Sequence, residues 1–357
     1  MLPSTMLMCL PDELNIIIID YVGYSTELLN GIWPDHVLIK FYKEFELDLD
    51  SLYLNFRLFK YVDKFRRLIN VDNTFCHVHG NLDLDMLSFR DNFNRPILLP
   101  KSLKCVKFGH HFNQSIALPE NLHSVEFGFS FDQEVMLPKN LRELIWCSNR
   151  PIELPDSLHF IDFGHSFDQE VMLPKNLHTI TFGYWFNQSV TLPENLQSIT
   201  FGHSFNQPVV LPENLHSVTF GGCFNQPIEL PKNLRELRWY SNRPIELPEN
   251  LHTVTFGERF NQPVELPDSL HSITFGLFFN QPVVLPRNLH SVEFSALFIQ
   301  PVYLPDSLQH VLYNRRRLRI ENNKLIPIDL QEVLRRPSVQ PRRSIMRRMV
   351  EPASYAS

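Results

Sequence analysis

Beyond residue 98 the apolar positions of this 357-residue chain fall into a strict period. The dipeptide Leu-Pro recurs twelve times, from Leu99 to Leu304, at steps of 19 residues broken by two steps of 17 that start at Leu137 and Leu230. A fixed short period marks a stacked array rather than a domain around one core. One unit reads LPENLHSVTFGGCFNQPIE, residues 211–229. Within it Leu215, Val218 and Phe220 follow the frame L-x-x-V-x-F. Its last positions alternate apolar and polar among β-formers, which predicts a short strand. Gly221 then permits a sharp turn. The segment Phe224-Asn225-Gln226-Pro227-Ile228 must bring the chain back, and Pro227 and Pro231 favour extended backbone there. So few residues leave little room for a long helix per turn. The expected form is a coil with a parallel strand on one side and extended or short helical segments opposite. Leu215, Val218, Phe220, Phe224 and Ile228 are its predicted core. No unit buries its apolar face alone, so stability requires stacked neighbours. Asn225 belongs to a column of side-chain amides expected to satisfy turn backbone groups, with Asp132 and Asp168 holding that place in two units.

The two short units, LPKNLRELIWCSNRPIE (137–153) and LPKNLRELRWYSNRPIE (230–246), are nearly identical. Trp146 and Trp239 replace the first Phe of the frame. They lie 93 residues apart, which points to duplication of a five-unit block. A degenerate unit precedes the array, with Leu84, Leu87, Phe89, Phe93, Asn94, Pro96 and Ile97 in register.

The N-terminal part reads differently. Pro11, Asp12 and Glu13 suit the first turn of a helix. Leu14, Ile17, Ile18 and Tyr21 then make an apolar face at helical spacing, ended by Gly23. Two more periodic sets follow, Trp33, Val37, Phe41 and Phe45, then Leu54, Leu58, Tyr61, Phe65 and Leu68. These predict helices, and a helical cap over the open end of the array is one use for them.

The repeat frame resembles the FNIP repeat, named for Phe-Asn-Ile-Pro, with Phe-Asn-Gln-Pro prevailing here. Units of that family are commonly a few residues longer between Pro-Ile and the next Leu-Pro. The resemblance implies a relation to leucine-rich repeats, whose L-x-x-L-x-L frame matches Leu215, Val218 and Phe220. The opening Leu10-Pro11-Asp12-Glu13-Leu14, followed by Ile18 and Val22, resembles the start of an F-box, a helical module that binds Skp-type adaptors of cullin ubiquitin ligases. The match fades after Val22. Proteins with FNIP repeats often carry an N-terminal F-box, notably in amoebae and the large viruses that infect them. The resemblance implies that Leu10, Pro11, Leu14, Ile17 and Ile18 face the adaptor.

Composition narrows the chemistry. Residues 315–357 carry 11 Lys+Arg against 4 Asp+Glu, and the other 314 residues carry 22 against 35, so an acidic body has a basic tail. A nuclear address or nucleic-acid contact through the tail is weaker than a solvated tail lying on the acidic body. The five Cys are scattered without C-x-x-C spacing, which suits a reducing compartment and argues against a disulfide framework. No apolar run approaches the ~18 residues of a membrane helix, and the acidic N-terminus is unlike a signal peptide. The expectation is a soluble intracellular protein of the cytoplasm, that of the host cell if the source is viral. No G-x-S-x-G, P-loop or H-E-x-x-H occurs. The chain is therefore read as a non-enzyme with no cofactor and no metal. His123, His159, His178, His216, His252, His271 and His290 follow the core Leu of their units, and no Cys or carboxylate column accompanies them. Ser and Thr dominate the outward strand positions, where small β-formers stack well. The pair after each Gly varies most. Tyr184, Trp185, Leu277 and Phe278 occupy it, and such residue types anchor interfaces, so they are the candidate target-binding residues.

The expected class is α+β: an F-box-like helical segment (1–46), a connecting region (47–98), a leucine-rich-repeat-like parallel β solenoid (99–314) and a basic tail (315–357). The expected function is substrate receptor of a Skp–cullin–F-box ligase, with a scaffold or decoy whose N-terminal helices only cap the solenoid as the alternative.

Overall fold

The computed structural model describes residues 46–48, 67–71, 83–314 and 316–318. All strands in them form one sheet of 16, ordered as in the sequence. Strands β1 (Glu46–Asp48), β2 (Arg67–Val71) and β3 (Met86–Phe89) lead the stack. One strand per Leu-Pro unit follows, from β4 (Cys105–Lys107) to β15 (His310–Tyr313). Every pair up to β15 is parallel, and from β3 onward in unbroken register, as Val218↔Leu237 illustrates, while β2 on β3 shifts register between Leu68 and Val71. Then β16 (Arg316–Leu318) turns back antiparallel on β15 through Asn314, whose φ is 49°. The result is a parallel β-solenoid of about 12 turns.

The α+β expectation does not hold. Every regular element among the described residues is a strand. Leu68, expected to close a helical face, instead lies in β2 and pairs with Leu87. Glu46, the last residue of the expected helical segment, opens β1. Leu54, Leu58, Tyr61, Phe65 and Leu68 do repeat at helical spacing, but at Leu68 the in-register stacking of β2 on β3 overrides it. The helical reading of Leu10, Pro11, Leu14, Ile17 and Ile18 falls outside the described residues.

Inside each long turn up to the one that ends at Tyr303, the core Leu, the strand's β-branched residue and two Phe are buried. Along each run of long turns the rings form two ladders, which end at the tryptophan of a short turn. Phe201 and Phe220 stack at 5.1 Å, Phe205 and Phe224 at 6.0 Å, and within a turn Phe201 and Phe205 at 4.1 Å. The asparagine column follows directly after the second Phe of the long turns. The Asn225 N–H donates to Asn206 Oδ1 at 2.7 Å, and the Asn206 N–H to Asn187 Oδ1 at 2.8 Å. Each Oδ1 thus satisfies a backbone donor one turn away. Asp168 does the same for the Asn187 N–H at 2.9 Å. Because the position only accepts from the backbone, a carboxylate fits it.

The short turns lack the second Phe and one residue of the variable pair. Trp146 replaces both rings: its indole meets Phe127 at 5.3 Å and Phe131 at 5.7 Å, edge-on to each. Its Nε1–H donates to the Arg150 carbonyl at 3.0 Å, and Trp239 treats Arg243 alike.

Glycine after the strand has a steric cause. A Cβ on Gly202 would lie 1.8 Å from the Gly183 carbonyl oxygen, so adjacent turns touch there backbone to backbone.

Candidate functional site

The strand-exit edge carries the variable pair. Several pairs are held by one backbone bond to the preceding turn: the Trp185 N–H donates to the His165 carbonyl, Ser204 to Tyr184, and Phe278 to Glu258. Side chains in the slot after Gly therefore stack turn on turn. Tyr184 lies between His165 (4.9 Å, 8°) and His203 (4.8 Å, 15°). Trp185 stands edge-on to Tyr184 at 4.8 Å and remains 54% exposed. The structure thus brings Tyr184 and Trp185 together in one exposed aromatic cluster. Leu277 and Phe278 form a second patch, with Phe278 51% exposed and Leu297 beside it in the next turn's pair. Tyr184 and Leu277 hold equivalent places 93 residues apart, as do Trp185 and Phe278. Sequence reasoning missed His165 and His203 as members of the cluster. The signal was present, since the 19-residue step puts both in Tyr184's slot. A smaller cluster joins His110 and Phe129, stacked at 5.0 Å, near the N-terminal end of the array.

The strand-entry edge carries the histidine column. His159 stacks on His178 at 5.1 Å, His252 on His271 at 4.4 Å and His271 on His290 at 5.0 Å. In His123, His159, His178, His271 and His290 the Nδ1 lies 2.7–2.9 Å from the carbonyl two residues earlier. A carbonyl only accepts, so Nδ1 carries the proton in these five and Nε2 points away. Parallel rings this far apart do not converge on one ion. Among the described residues no group of three or more His, Cys, Asp or Glu is placed to hold a metal.

Between the edges lies the outward face of the sheet. Its first block is charged, with Lys107 Nζ 2.9 Å from Glu126 Oε1. Burial, then the Glu126 charge, pushes the Asp162 carboxyl above the ordinary carboxylate range. The Cys105 and Cys147 thiols are also pushed up, chiefly by burial, which disfavours the nucleophilic thiolate. Ser148 and Ser241 are the buried polar side chains among the described residues, and sequence reasoning passed over both. Ser241 Oγ accepts the Arg243 N–H at 3.0 Å and donates to the Phe224 carbonyl at 2.7 Å, which closes the short turn. No described helix is long and apolar enough to cross a membrane.

The FNIP Repeat family model matches residues 149–185, 186–223, 205–238 and 242–278. No curated protein matches the chain. Among solved structures it is similar to CroV588, described as a novel circular LRR protein, at 36% identity and a TM-score of 0.58 over 70% of this chain. The match spans 42% of the CroV588 chain. YopM from Yersinia enterocolitica WA-314 is 20% identical over 70% of this chain and 64% of its own, with a TM-score of 0.46. The sequence, then, carries FNIP repeats folded as a leucine-rich-repeat-type β-solenoid.

Proposed function

We propose that this chain is a non-catalytic, protein-binding solenoid that grips its target at the strand-exit edge. The observation that carries this reading is the paired exposure of Tyr184–Trp185 and Leu277–Phe278 in equivalent slots of the two blocks. Large, stiff, half-exposed apolar side chains on a rigid frame contribute contact area at low entropic cost. Five turns at ~4.8 Å put the two anchor pairs roughly 24 Å apart, within one interface of ordinary size. The test begins with the target captured by the wild-type chain. Trp185→Ala and Phe278→Ala each weaken its binding tenfold or more, and changing the exposed His310 does nothing. A target that binds both alanine variants as it binds the wild type would refute the assignment.

The finer reading makes the chain the target receptor of a Skp–cullin ubiquitin ligase. Its support is the Leu-Pro-Asp-Glu-Leu run at residues 10–14, followed by Ile17 and Ile18, on a chain that also carries FNIP repeats. In this reading Leu10, Pro11, Leu14, Ile17 and Ile18 bind the adaptor, and the solenoid raises the target's effective concentration at the ligase. A pull-down of a eukaryotic Skp-type adaptor checks it, beside a Leu10→Ala/Pro11→Ala/Ile18→Asp variant. Capture by the wild type alone supports the receptor. Absence of capture leaves a protein-binding scaffold or decoy.

A further inference from the structure

The slot that follows the core Leu lines the strand-entry edge, at the other end of the strands from the aromatic clusters. From Lys104 to Gln309 it holds only Lys, His, Arg or Gln, although the body as a whole is acidic. Arg142 and Arg235 occupy it in the two short turns, each with a histidine in the turn before and the turn after. Around Arg235 the edge opens into a cleft of about 610 Å³, lined by Asn214, His216, Asn233, Arg235, Asn250 and His252.

The backbone acceptors of the strand pairing at this cleft are occupied, and several side-chain donors are not. The His216 carbonyl already accepts two N–H groups, from Arg235 and Glu236, and the Arg235 carbonyl accepts those of His252 and Thr253. The Nδ2 groups of Asn214, Asn233 and Asn250 donate to the carbonyls of Glu194, Glu213 and Lys232 at 3.2, 3.2 and 3.0 Å. Each amide keeps a second N–H. The Arg235 guanidinium makes no ion pair or hydrogen bond within the described residues, and neither does that of Arg142. The strand-pairing carbonyls are occupied while a planar fork of donors is unmatched, and that fork fits a carboxylate in bidentate fashion.

We propose that the Arg235 cleft binds an acidic side chain of an extended partner segment, and that Arg142 is a second post for the same segment. The posts are five turns apart, roughly 24 Å at ~4.8 Å per turn. An extended chain rising ~3.3 Å per residue covers that distance in about seven residues. The partner motif is therefore two acidic residues about seven apart, not a continuous polyanion. The exposed Glu213 and Glu249, next in sequence to the lining Asn214 and Asn250, and the excess of 35 acidic over 22 basic residues in 1–314 oppose a polyanion such as nucleic acid more than an isolated carboxylate seated on each arginine. This site stands whether or not the strand-exit edge binds a target.

The experiment uses the full chain and a fluorescein-labelled, otherwise neutral peptide with two Glu seven residues apart, read by anisotropy at low salt. The expected result is binding that drops tenfold or more when both Glu are Gln. An Arg142→Gln/Arg235→Gln variant shows the same drop for the Glu peptide and no change for the Gln peptide. Both arginines are exposed, so their replacement leaves the melting temperature unchanged, and Arg235→Lys controls for charge without the fork by binding at an intermediate level. No detectable binding, equal binding of the two peptides, an unaffected double variant, or tighter binding of an oligonucleotide of matched charge would each overturn the proposal.

Discussion

The long and the short turns solve one packing problem with different parts. A long turn fills its interior with two Phe rings and ties its return segment to the next turn through an asparagine. A short turn uses a single indole that contacts both rings of the preceding turn and a serine hydroxyl that closes its return segment, while Asn149 and Asn242 still tie it to the turn that follows. The asparagine relay is broken where a short turn stacks on a long one. There Arg243 Nη1–H donates to the Asn225 carbonyl at 3.0 Å, and Arg150 Nη1–H reaches Asp132 Oδ1 at 3.3 Å. Two deleted residues therefore cost no register, because a larger ring, a buried hydroxyl and an arginine replace what was lost. Both short units carry that complete set, as duplication of one block containing it would leave them.

The largest expected effect comes from removing the ring that makes the short turn possible. Trp239→Ala vacates the space of two Phe and leaves the Arg243 carbonyl without its donor. A loss of about 3–5 kcal/mol is expected in denaturant unfolding. Trp239→Phe should fall between, because it restores one ring but no N–H. A cost below about 1 kcal/mol for the alanine would mean that the neighbouring turns collapse into the space, and the comparison would lose its basis.

The next contrast is at the strand exit. Gly202→Ala drives a methyl into the Gly183 carbonyl and should cost about 3 kcal/mol or more, since backbone cannot give way as a side chain can. Tyr240 fills the same slot in a short turn, where it is 40% exposed. Tyr240→Ala should stay within about 1 kcal/mol. Amide hydrogen exchange around residues 183–202 and 220–240 separates the two outcomes.

Ser241→Ala removes an acceptor for the Arg243 N–H and a donor to the Phe224 carbonyl in a nearly dry site, so about 1–3 kcal/mol is expected. Asn206→Asp is its counterpart in a long turn and should stay within about 0.5 kcal/mol, since Asp168 already performs that role. Thermal melts of the two variants, side by side, check whether the short turn depends more on its hydroxyl than the long turn does on its amide.

What the sequence revealed follows from what repetition amplifies. Leu215, Val218, Phe220 and Phe224 were legible as core because many copies agree on them, and the asparagine column was legible for the same reason. Ser241 was not, because it occurs only in the two short units and its role depends on a fold-back seen only in three dimensions. The stack of His165, Tyr184 and His203 follows from the period, yet it requires knowing that the slot after Gly faces out and aligns turn on turn. The N-terminal expectation failed at Leu68 because five apolar residues at helical spacing carry no information about a waiting strand edge. The pairing of Leu68 with Leu87 is a long-range fact.

The smallest effect sharpens the comparison between the two blocks rather than between turn types. The first block places Lys107, Glu126 and Asp162 on the outward strand positions, and the second has Thr200, Thr219 and Thr255 in the same places. Asp162 sits between Ile145 and Thr181 in the sheet, and burial with the Glu126 charge raises its carboxyl pKa above 3.8. The folded chain therefore holds this proton to higher pH than the unfolded chain does. Its contribution favours folding in acid and is lost as pH rises from the ordinary carboxylate value through the raised one, so at neutral pH the ionised group carries a penalty. Asp162→Asn removes that penalty without changing shape. The variant should melt at a higher temperature than the wild type at pH 7 and at the same temperature near pH 3. The reverse order at pH 7 would show that the carboxylate is stabilised by a partner, and that the threonines of the second block are no relief from charge.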